Sequence, residues 1–462
     1  MRRYAWLIAF SLSTSSVAAQ TSSNPEVALL RRQVEDLRQE VAQLRLLVDA
    51  RQAPTHADGE ASASHLVGAR SADAPAPVAA SVLPPRETFG DELTGVARPN
   101  TAAPPNDPAL RGFVPIPGTD TRIRLGGFAK LNAMHDFDPA GNPDRWATSS
   151  LPIDAGAGRN SNLDASATRF SFEVRRPSSL GPLRFYLEND FYGGAGVIGF
   201  RLRQAHAQVG NTYAGYGYSA FTDSDAFPET LDDAGPGSES LRRVAAVRQF
   251  WKVGDAVTAS LSIEDPESDL AVPAGGAAEQ PLPDLVAGLR REGGWGHLQG
   301  ALLARRLAYR MPQGEYAATA TGFHLSGQRH FGPHVLTASL VYGEGVSRYI
   351  NDIGGRRLDA VVADDGSVHP LGLSAGHLGY TYHWPGGWRS NLVFGRLLLE
   401  AHPQLPRDAF RASTYGAANL ILQASPTFSW GIEALYGTQT VQDGRNADAF
   451  RIQGSIKYDF VR

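Results

Sequence analysis

Apolar positions along the chain follow two different periods. Between residues 26 and 48 they recur at alternating spacings of three and four, which is the seam of a heptad coiled coil. Valine at one seam position and leucine at the other favours a two-stranded coil; three strands are the alternative in so short a coil, as is a lone surface helix. The predicted seam consists of Val27, Leu30, Val34, Leu37, Val41, Leu44 and Val48.

From residue 111 onward the period changes to two. Residues 450–460 and 169–175 each alternate apolar and polar side chains, as strands with one apolar face do. Seven tight turns alternate with eight looser connections, which predicts sixteen strands with short turns at one rim and long loops at the other. The tight turns are predicted at 176–179, 210–212, 253–255, 292–294, 331–334, 384–387 and 425–426.

These patterns predict an all-β transmembrane barrel of about 16 antiparallel strands, preceded by a short N-terminal α-helical coiled coil. A soluble β-sandwich has the same period of two and is the competing interpretation. Aromatic residues at strand ends suit the interfacial girdles of a barrel. Candidates for these girdles are Phe128, Phe191, Tyr213, Tyr216, Tyr218, Tyr380, Tyr382 and Trp430.

The chain divides into four segments. Residues 1–19 have the basic start, apolar run and small-residue exit of a cleavable signal peptide, which predicts export. Residues 20–50 form the predicted coiled-coil oligomerisation segment. Residues 51–110 are rich in alanine and proline and are predicted to be an extended linker, because they bury too little apolar surface to order. Residues 111–462 form the predicted outer-membrane barrel.

Composition excludes several function classes. The chain has no cysteine, which excludes disulfides and thiolate metal sites, and its net charge of −4 argues against a nucleic-acid partner. Its twelve histidines lack metal-ligand spacing, and no hydrolase or nucleotide-binding motif occurs. We therefore predict no catalytic residues, no metal and no cofactor. A hydrolase with Ser, His and Asp drawn from separate strands at the rim is one alternative. A structural envelope tether, with coil and linker holding the barrel to a periplasmic partner, is the other.

Several segments resemble the DcaP-like trimeric porin family of outer membranes. The resemblance implies a homotrimer of sixteen-stranded barrels surrounded by outer-membrane lipids, with the N-terminal segment in the periplasm. It also implies passive diffusion of small hydrophilic anions such as dicarboxylates. The segments that carry the resemblance are the coil and linker, 116–121, 123–131, 188–191, 201–206, 228–232, 348–350 and 388–390.

Inward side chains of a barrel this large do not fill the interior, so they are expected to line water. Arginines at inward positions are the predicted channel lining, because a guanidinium stays charged and binds carboxylates bidentately. Arginine outnumbers lysine 40 to 3 in this chain, so some of them are expected only to satisfy internal carboxylates such as Glu173 and Glu188. The predicted lining arginines are Arg169, Arg175, Arg201, Arg203, Arg248 and Arg290.

The third long loop, at about residues 222–240, carries six acids and no basic residue. A loop folded into the lumen at this position would place an acidic flank opposite the arginines and would orient a dipolar or anionic solute. The predicted constriction residues are Asp223, Asp225, Glu229, Asp232 and Asp233.

Overall fold

The computed structural model describes residues 112–194 and 198–460. The predicted signal peptide, coiled-coil seam and linker lie outside these residues. Within them, no helix is long and apolar enough to cross a bilayer. The helical elements in this part of the chain are single 3-10 turns at Thr148–Ser150, Ser224–Ala226, Ser347–Tyr349 and Pro385–Gly387.

The described strands are numbered in chain order. They are β1 Val114–Pro115, β2 Arg122–Asp136, β3 Asn160–Asp164, β4 Arg169–Arg176, β5 Leu183–Asp190, β6 Arg201–Val209, β7 Thr212–Tyr218, β8 Arg243–Lys252, β9 Val257–Glu264, β10 Ala277–Glu279, β11 Asp284–Gly293, β12 Gly296–Met311, β13 Gly314–Phe331, β14 His334–Glu344, β15 Ala360–Val362, β16 Val368–Pro370, β17 Gly372–His383, β18 Trp388–Leu399, β19 Phe410–Ser425, β20 Phe428–Val441 and β21 Asn446–Asp459.

Sixteen antiparallel strands close into a barrel, which confirms the barrel part of the predicted fold. Closure is made by β21 and β2, which pair from Phe128 with Asp459 to Asp136 with Arg451. One barrel strand is interrupted, because β3 and β4 both pair with β2. Four short strands are not among the sixteen barrel strands. Of these, β1 pairs with β2, β10 pairs with β12, and β15 and β16 form a separate hairpin.

All seven predicted tight turns join consecutive barrel strands at one rim. Two of them depend on glycine, since Gly210 and Gly332 have positive φ angles of 57° and 60°. The connections at the opposite rim are numbered L1 to L8. They span 137–159, 191–200, 219–242, 265–283, 312–313, 345–371, 400–409 and 442–445. The third of them therefore contains the predicted acidic loop.

The barrel wall has a short side and a long side. Strands β4 to β9 have 7 to 10 residues each, whereas β12 to β14 and β17 to β21 have 11 to 18. A strand tilted in a bilayer needs about 9 to 11 residues to cross it. The long side therefore spans a membrane with residues to spare, and several strands of the short side do not.

The outer face of the barrel is apolar and exposed. On β12, for example, Leu298 and Leu302 point outward and are exposed. Ala301 and Leu303, the two neighbours of Leu302, point inward and are buried. Among the predicted girdle aromatics, Trp430 lies exposed on this face near the short-turn rim. The prediction is wrong for Tyr213 and Tyr218. Both are buried inside the barrel, where the Tyr218 hydroxyl accepts hydrogen bonds from Arg203 and Arg243.

Part of the interior is an apolar core, not water. Phe221 of L3 and residues of L6 such as Tyr349 and Ile353 pack against inward side chains of β11, β12, β14, β17 and β18. The expectation that inward positions line water is wrong on this side, because the loops fold in and cover them. The inward residues of this core are Val286, Ala301, Leu303, Val341, Leu373, Ala375, Leu397 and Leu399.

Two further loops pack on the long side in the same way. Trp146 and Leu151 of L1 lie in a cluster with Tyr415 and Leu435 of β19 and β20. Leu270 of L4 packs with residues of β12, β13 and β15. Four loops therefore fill the half of the barrel that is bounded by the long strands.

We expect Phe221→Ala to lower the free energy of unfolding by about 3–5 kcal/mol, because it leaves a cavity among buried loop and wall residues. Phe394→Ala removes the same side chain from the outer face, where Phe394 is 54% exposed, and should cost less than half as much. Denaturant unfolding of both variants in lipid vesicles measures the difference. Equal losses would contradict an interior core that includes L3.

Candidate functional site

The third loop lies along the interior of the long side. Acidic side chains along the loop bond to the barrel wall, from β11 at the start of L3 to β2 near its end. Near its middle, Glu229 accepts two hydrogen bonds from Arg389 of β18 at 2.7 and 2.8 Å. Further along, Asp233 accepts from Lys130 at 2.7 Å and from Asn132 at 2.8 Å, both on β2. L3 is therefore fixed by ion pairs as well as by the apolar core.

The start of L3 is held by Arg290 of β11. Its guanidinium bonds to Asp223 at 3.0 Å and to Asp225 at 2.5 Å, and Asp223 also accepts from His297 and Ser326. Burial opposes ionisation of Asp223, but the His297 hydrogen bond and the Arg290 charge outweigh it and hold the pKa of Asp223 below its usual range. Burial raises the pKa of Asp225 to about 6 despite Arg290.

Asp232 joins L3 to L1. Its carboxylate accepts hydrogen bonds from the backbone of Trp146 at 3.0 Å and of Gly235 at 3.1 Å. Burial and the neighbouring Asp233 raise the pKa of Asp232 to about 6, against the lowering effect of these backbone donors. The backbone amides of Leu231 and Asp232 in turn donate to Glu433 of β20 at 3.0 and 2.7 Å. This part of L3 is held by hydrogen bonds that satisfy its buried backbone.

L1 and L6 meet at Asp352. The Asp352 carboxylate accepts from the Thr148 hydroxyl at 2.5 Å and from the Ser149 amide at 2.7 Å. L3 and L6 are joined by Asn351, whose amide side chain donates to the Ala234 carbonyl at 2.7 Å. The three loops therefore form one interlocked unit on the long side.

The opposite interior face, on the short side, is basic. We call it the basic wall; it consists of the inward face of β4 to β9 together with Arg124 of β2. It carries eight arginines and four carboxylates, and Lys252 at the short-turn end of β8 adds to the excess of positive charge. The arginines are Arg124, Arg169, Arg175, Arg184, Arg201, Arg203, Arg243 and Arg248, and the carboxylates are Glu173, Glu188, Asp190 and Glu264.

Glu173 organises the end of the basic wall near the short turns. Arg124, Arg175 and Arg184 each place a nitrogen 2.7 Å from its carboxylate. The Phe113 ring stacks under two of these guanidinium groups, 5.0 Å from Arg124 and 5.5 Å from Arg175. Three permanently charged guanidinium groups therefore share one buried carboxylate.

Closer to the long-loop rim, guanidinium and carboxylate groups alternate. Arg203 lies 2.6 Å from Glu188 and 2.9 Å from Asp190. Arg201 binds the same Asp190 bidentately at 2.6 and 2.8 Å, and Arg169 lies 3.7 Å from Glu188. Three guanidinium groups thus share two carboxylates.

Accessibility separates the arginines of the wall. The Arg201 side chain is 32% exposed, that of Arg124 23% and that of Arg169 18%, whereas Arg184 and Arg248 are almost completely buried. Arg248 donates to the Tyr218 carbonyl at 2.9 Å and lies 3.5 Å from Glu264. Exposed guanidinium groups are available to a solute in the lumen, and the buried ones position the carboxylates.

All six predicted arginines are on inward faces, but they are not all in one place. Five belong to the basic wall, and Arg290 is the anchor of L3 on the other side. Of the predicted acids, Asp223, Asp225 and Asp232 are buried and face the long wall, and Glu229 and Asp233 keep about a sixth of their side-chain area exposed. This placement differs from an acidic flank that is fully open to the lumen.

Sequence reasoning missed three arginines of the basic wall: Arg124, Arg184 and Arg243. The signal for Arg184 was present, because Arg184, Tyr186 and Glu188 alternate with Leu183, Phe185 and Leu187 along β5. Lys130 and Arg389, which hold L3, were missed because the pairing of a loop with a distant strand leaves no trace in local periodicity.

Potential metal ligands converge in one place within the described residues. Asp223, Asp225 and His297 offer ligand atoms within 4.8 Å of one another. The Arg290 guanidinium already bonds to both carboxylates and balances their charge. The trio therefore fits an anchor for L3 better than a cation site.

Comparison with known proteins identifies the family. The profile of the porin subfamily matches residues 111–462, the whole of the predicted barrel segment. The chain belongs to the porin subfamily. Its barrel and its family support a location in the outer membrane.

Individual relatives agree with this assignment. Porin Omp2b of Brucella suis is 25% identical over 228 residues, which are 46% of this chain and 57% of the relative, and Porin Omp2b of Brucella abortus matches equally. The match thus spans little more than half the length of these curated relatives. The crystal structure of the outer membrane channel DcaP of Acinetobacter baumannii is 22% identical, with a TM-score of 0.67 over 76% of this chain and 100% of that one. The resemblance to DcaP-like porins predicted from the sequence is confirmed.

We expect Arg290→Gln to lower the free energy of unfolding by about 3–5 kcal/mol, because it leaves two buried carboxylates without their cation. Adding Asp225→Asn to that variant should recover part of the loss, since one unpaired charge is removed. Arg201→Gln should cost less than about 1 kcal/mol, because Arg201 is partly exposed and Asp190 keeps Arg203. Denaturant unfolding of Arg290→Gln, Asp225→Asn, the double variant and the unmodified protein measures the cycle, and Arg201→Gln is the control. Additive losses in the double variant would argue against Arg290 as the anchor.

Proposed function

We propose that this protein is a passive porin for small hydrophilic anions, such as dicarboxylates, which pass between L3 and the basic wall. The observation that supports it most is the excess of positive charge on the interior face of the short side. L3 lies on the opposite side, so a water-filled path next to the basic wall is the geometry that fits both.

In this proposal Arg201, Arg169 and Arg124 contact the solute, because their guanidinium groups are the more accessible ones. A guanidinium presents two parallel donors to a carboxylate and keeps its charge at every physiological pH. Arg175, Arg203 and Arg248 hold Glu173, Glu188, Asp190 and Glu264 in place, and Arg290 holds L3. The channel role of the six predicted arginines is thus divided between solute contact and support.

The acids of L3 have a related role in the proposal. Glu229 and Asp233 keep part of their surface open, and they would present negative charge across the path from the arginines. The electric field between these acids and the arginines would orient a dipolar solute across the path. Next to the acids, it would hinder the passage of cations less than that of anions. Asp223, Asp225 and Asp232 set the position of the loop.

We expect the purified protein in a planar bilayer to give a reversal potential of anion preference under a salt gradient, and a small dicarboxylate to reduce its chloride current. Arg169→Gln together with Arg201→Gln should lower the anion-to-cation permeability ratio. One unit charge about 4 Å away in water is worth about 1 kcal/mol, roughly a fivefold effect, and salt screens it. Both carboxylates keep Arg203, so the wall should stay folded.

Arg306→Gln is the matched control for selectivity, since Arg306 lies on the outer face, where it donates to the Thr319 hydroxyl. It should leave the reversal potential unchanged. Cation preference of the unmodified protein, or an unchanged ratio in the double variant, would contradict the proposed anion path.

We also propose that the protein is a homotrimer whose subunits meet through the short side. Strands β5, β7 and β9 have 7 or 8 residues, fewer than a tilted strand needs to cross the hydrocarbon. Neighbouring subunits covering these strands would remove that mismatch. The predicted coiled-coil segment, residues 20–50, would lie in the periplasm and join the same subunits.

The chain has no cysteine, so single cysteines report contacts between copies without background. We expect Leu187→Cys, on the outer face of β5, to form disulfide-linked dimers in membranes under mild oxidation. Leu392→Cys, on the outer face of β18, should not. Cross-linking only at position 392 would place the interface between subunits on the long side and would contradict this proposal.

A further inference from the structure

The outer face of the long side has a deep apolar groove. Its volume is about 660 Å³, and it lies across β12, β13, β14, β17 and β18. The floor of the groove is formed by residues with little or no side chain, namely Gly327, Ala338 and Gly376. The apolar lining is provided by Leu298, Leu325, Leu340, Leu378, Phe394 and Leu398.

An arginine lies at the end of the groove nearer the long loops. Arg396 is three residues before the end of β18, and its side chain is on the outer face between Phe394 and Leu398. Its guanidinium donates to the Thr414 hydroxyl of β19, and no carboxylate is bonded to it in the described part of the chain. A permanent positive charge therefore faces outward at the upper edge of an apolar surface.

The outer face differs on the two sides of Arg396. Toward β19, β20 and β21 its row is polar, because Arg396 pairs with Thr414, Thr414 with Thr438 and Thr438 with Asp448. Toward the groove strands the same row is apolar and consists of Gly376, Leu340 and Leu325. Long loops of such barrels are extracellular, and Arg396 is three residues from the long-loop end of β18, so it lies toward the outer leaflet.

In the trimer proposed above, on which this step rests, this wall is the one that meets lipid. The strands under the groove have 11 to 18 residues and cross the full hydrocarbon thickness, unlike the short side. A guanidinium at the headgroup level binds phosphate bidentately, and an acyl chain gains free energy when it fills an apolar groove. A free phosphate would use only the arginine and leave the groove exposed.

We infer that this groove is a binding site for one anionic lipid of the outer leaflet, with the phosphate on Arg396 and an acyl chain along the groove. Such a site lies outside the conduction path, so it would tie the barrel to a particular lipid without entering the lumen. The inference does not depend on which solute the porin conducts.

The test is native mass spectrometry of the detergent-purified protein, titrated with phosphatidylglycerol and with phosphatidylcholine of the same acyl chains. We expect phosphatidylglycerol adducts to form at lower lipid concentration. Arg396→Gln should weaken phosphatidylglycerol about tenfold, to the level of phosphatidylcholine, because a hydrogen-bonded charge pair is lost. Ala338→Phe, which fills the floor of the groove, should weaken both lipids.

Two controls separate the site from its surroundings. Arg306→Gln removes an outer-face arginine outside the groove lining and should leave both titrations unchanged. Single-channel conductance of Arg396→Gln and Ala338→Phe should equal that of the unmodified protein, which establishes that the variants fold.

Three results would overturn the inference. Equal binding of the two lipids by the unmodified protein would remove the role of phosphate, and unchanged binding by Arg396→Gln would remove the role of the arginine. Disulfide-linked copies formed through Ala338→Cys would show that a second subunit, and not lipid, covers the groove.

Discussion

The rest of the structure depends on one constraint: a sheet inside a bilayer has no water to satisfy an unpaired edge. The pairing of β21 with β2 removes that edge, and it does so along nine residue pairs. Once the sheet is closed, the period of two along each strand separates an outer face for lipid from an inner face for charge. Buried arginines and carboxylates are tolerated inside because they are paired with each other or with loops.

Closure alone does not make the interior uniform. The long strands provide an inner surface with many apolar side chains, and L1, L3, L4 and L6 cover it. The short strands provide the basic wall, whose carboxylates balance only part of its positive charge. The proposed path is therefore off-centre, since one half of the barrel is packed like a soluble domain and the other half is polar.

The barrel and its turns could be predicted from the sequence because each depends on neighbouring residues. Alternation within β21 and glycine or proline between strands are local signals, and so is the acidic composition of L3. The apolar interior also had a local signal in the sequence. Residues 300–304 of β12 form an uninterrupted run of small and apolar side chains, as strands buried on both faces do. The expectation that inward positions line water hid the interior core.

The pairing of L3 could not be predicted in the same way. Glu229 and Arg389 are 160 residues apart, and only the closed barrel brings them together. The alternation of side chains along β11 predicted that Arg290 points inward. It did not predict on which side of the barrel Arg290 lies. The exact partner of a buried charge depends on three-dimensional closure, so composition suggested the types of residue and not the arrangement.

The alternating groups of the basic wall have a kinetic consequence. Arg201, Arg203 and Arg169 are already bound to Asp190 and Glu188, so an arriving carboxylate competes with carboxylates that never leave. In the proposed anion path, each contact with the wall would then be an exchange between similar partners, with a shallow free-energy well and a short residence time. A row of unpaired guanidinium groups would retain an anion, whereas a row shared with resident carboxylates would pass it from one arginine to the next.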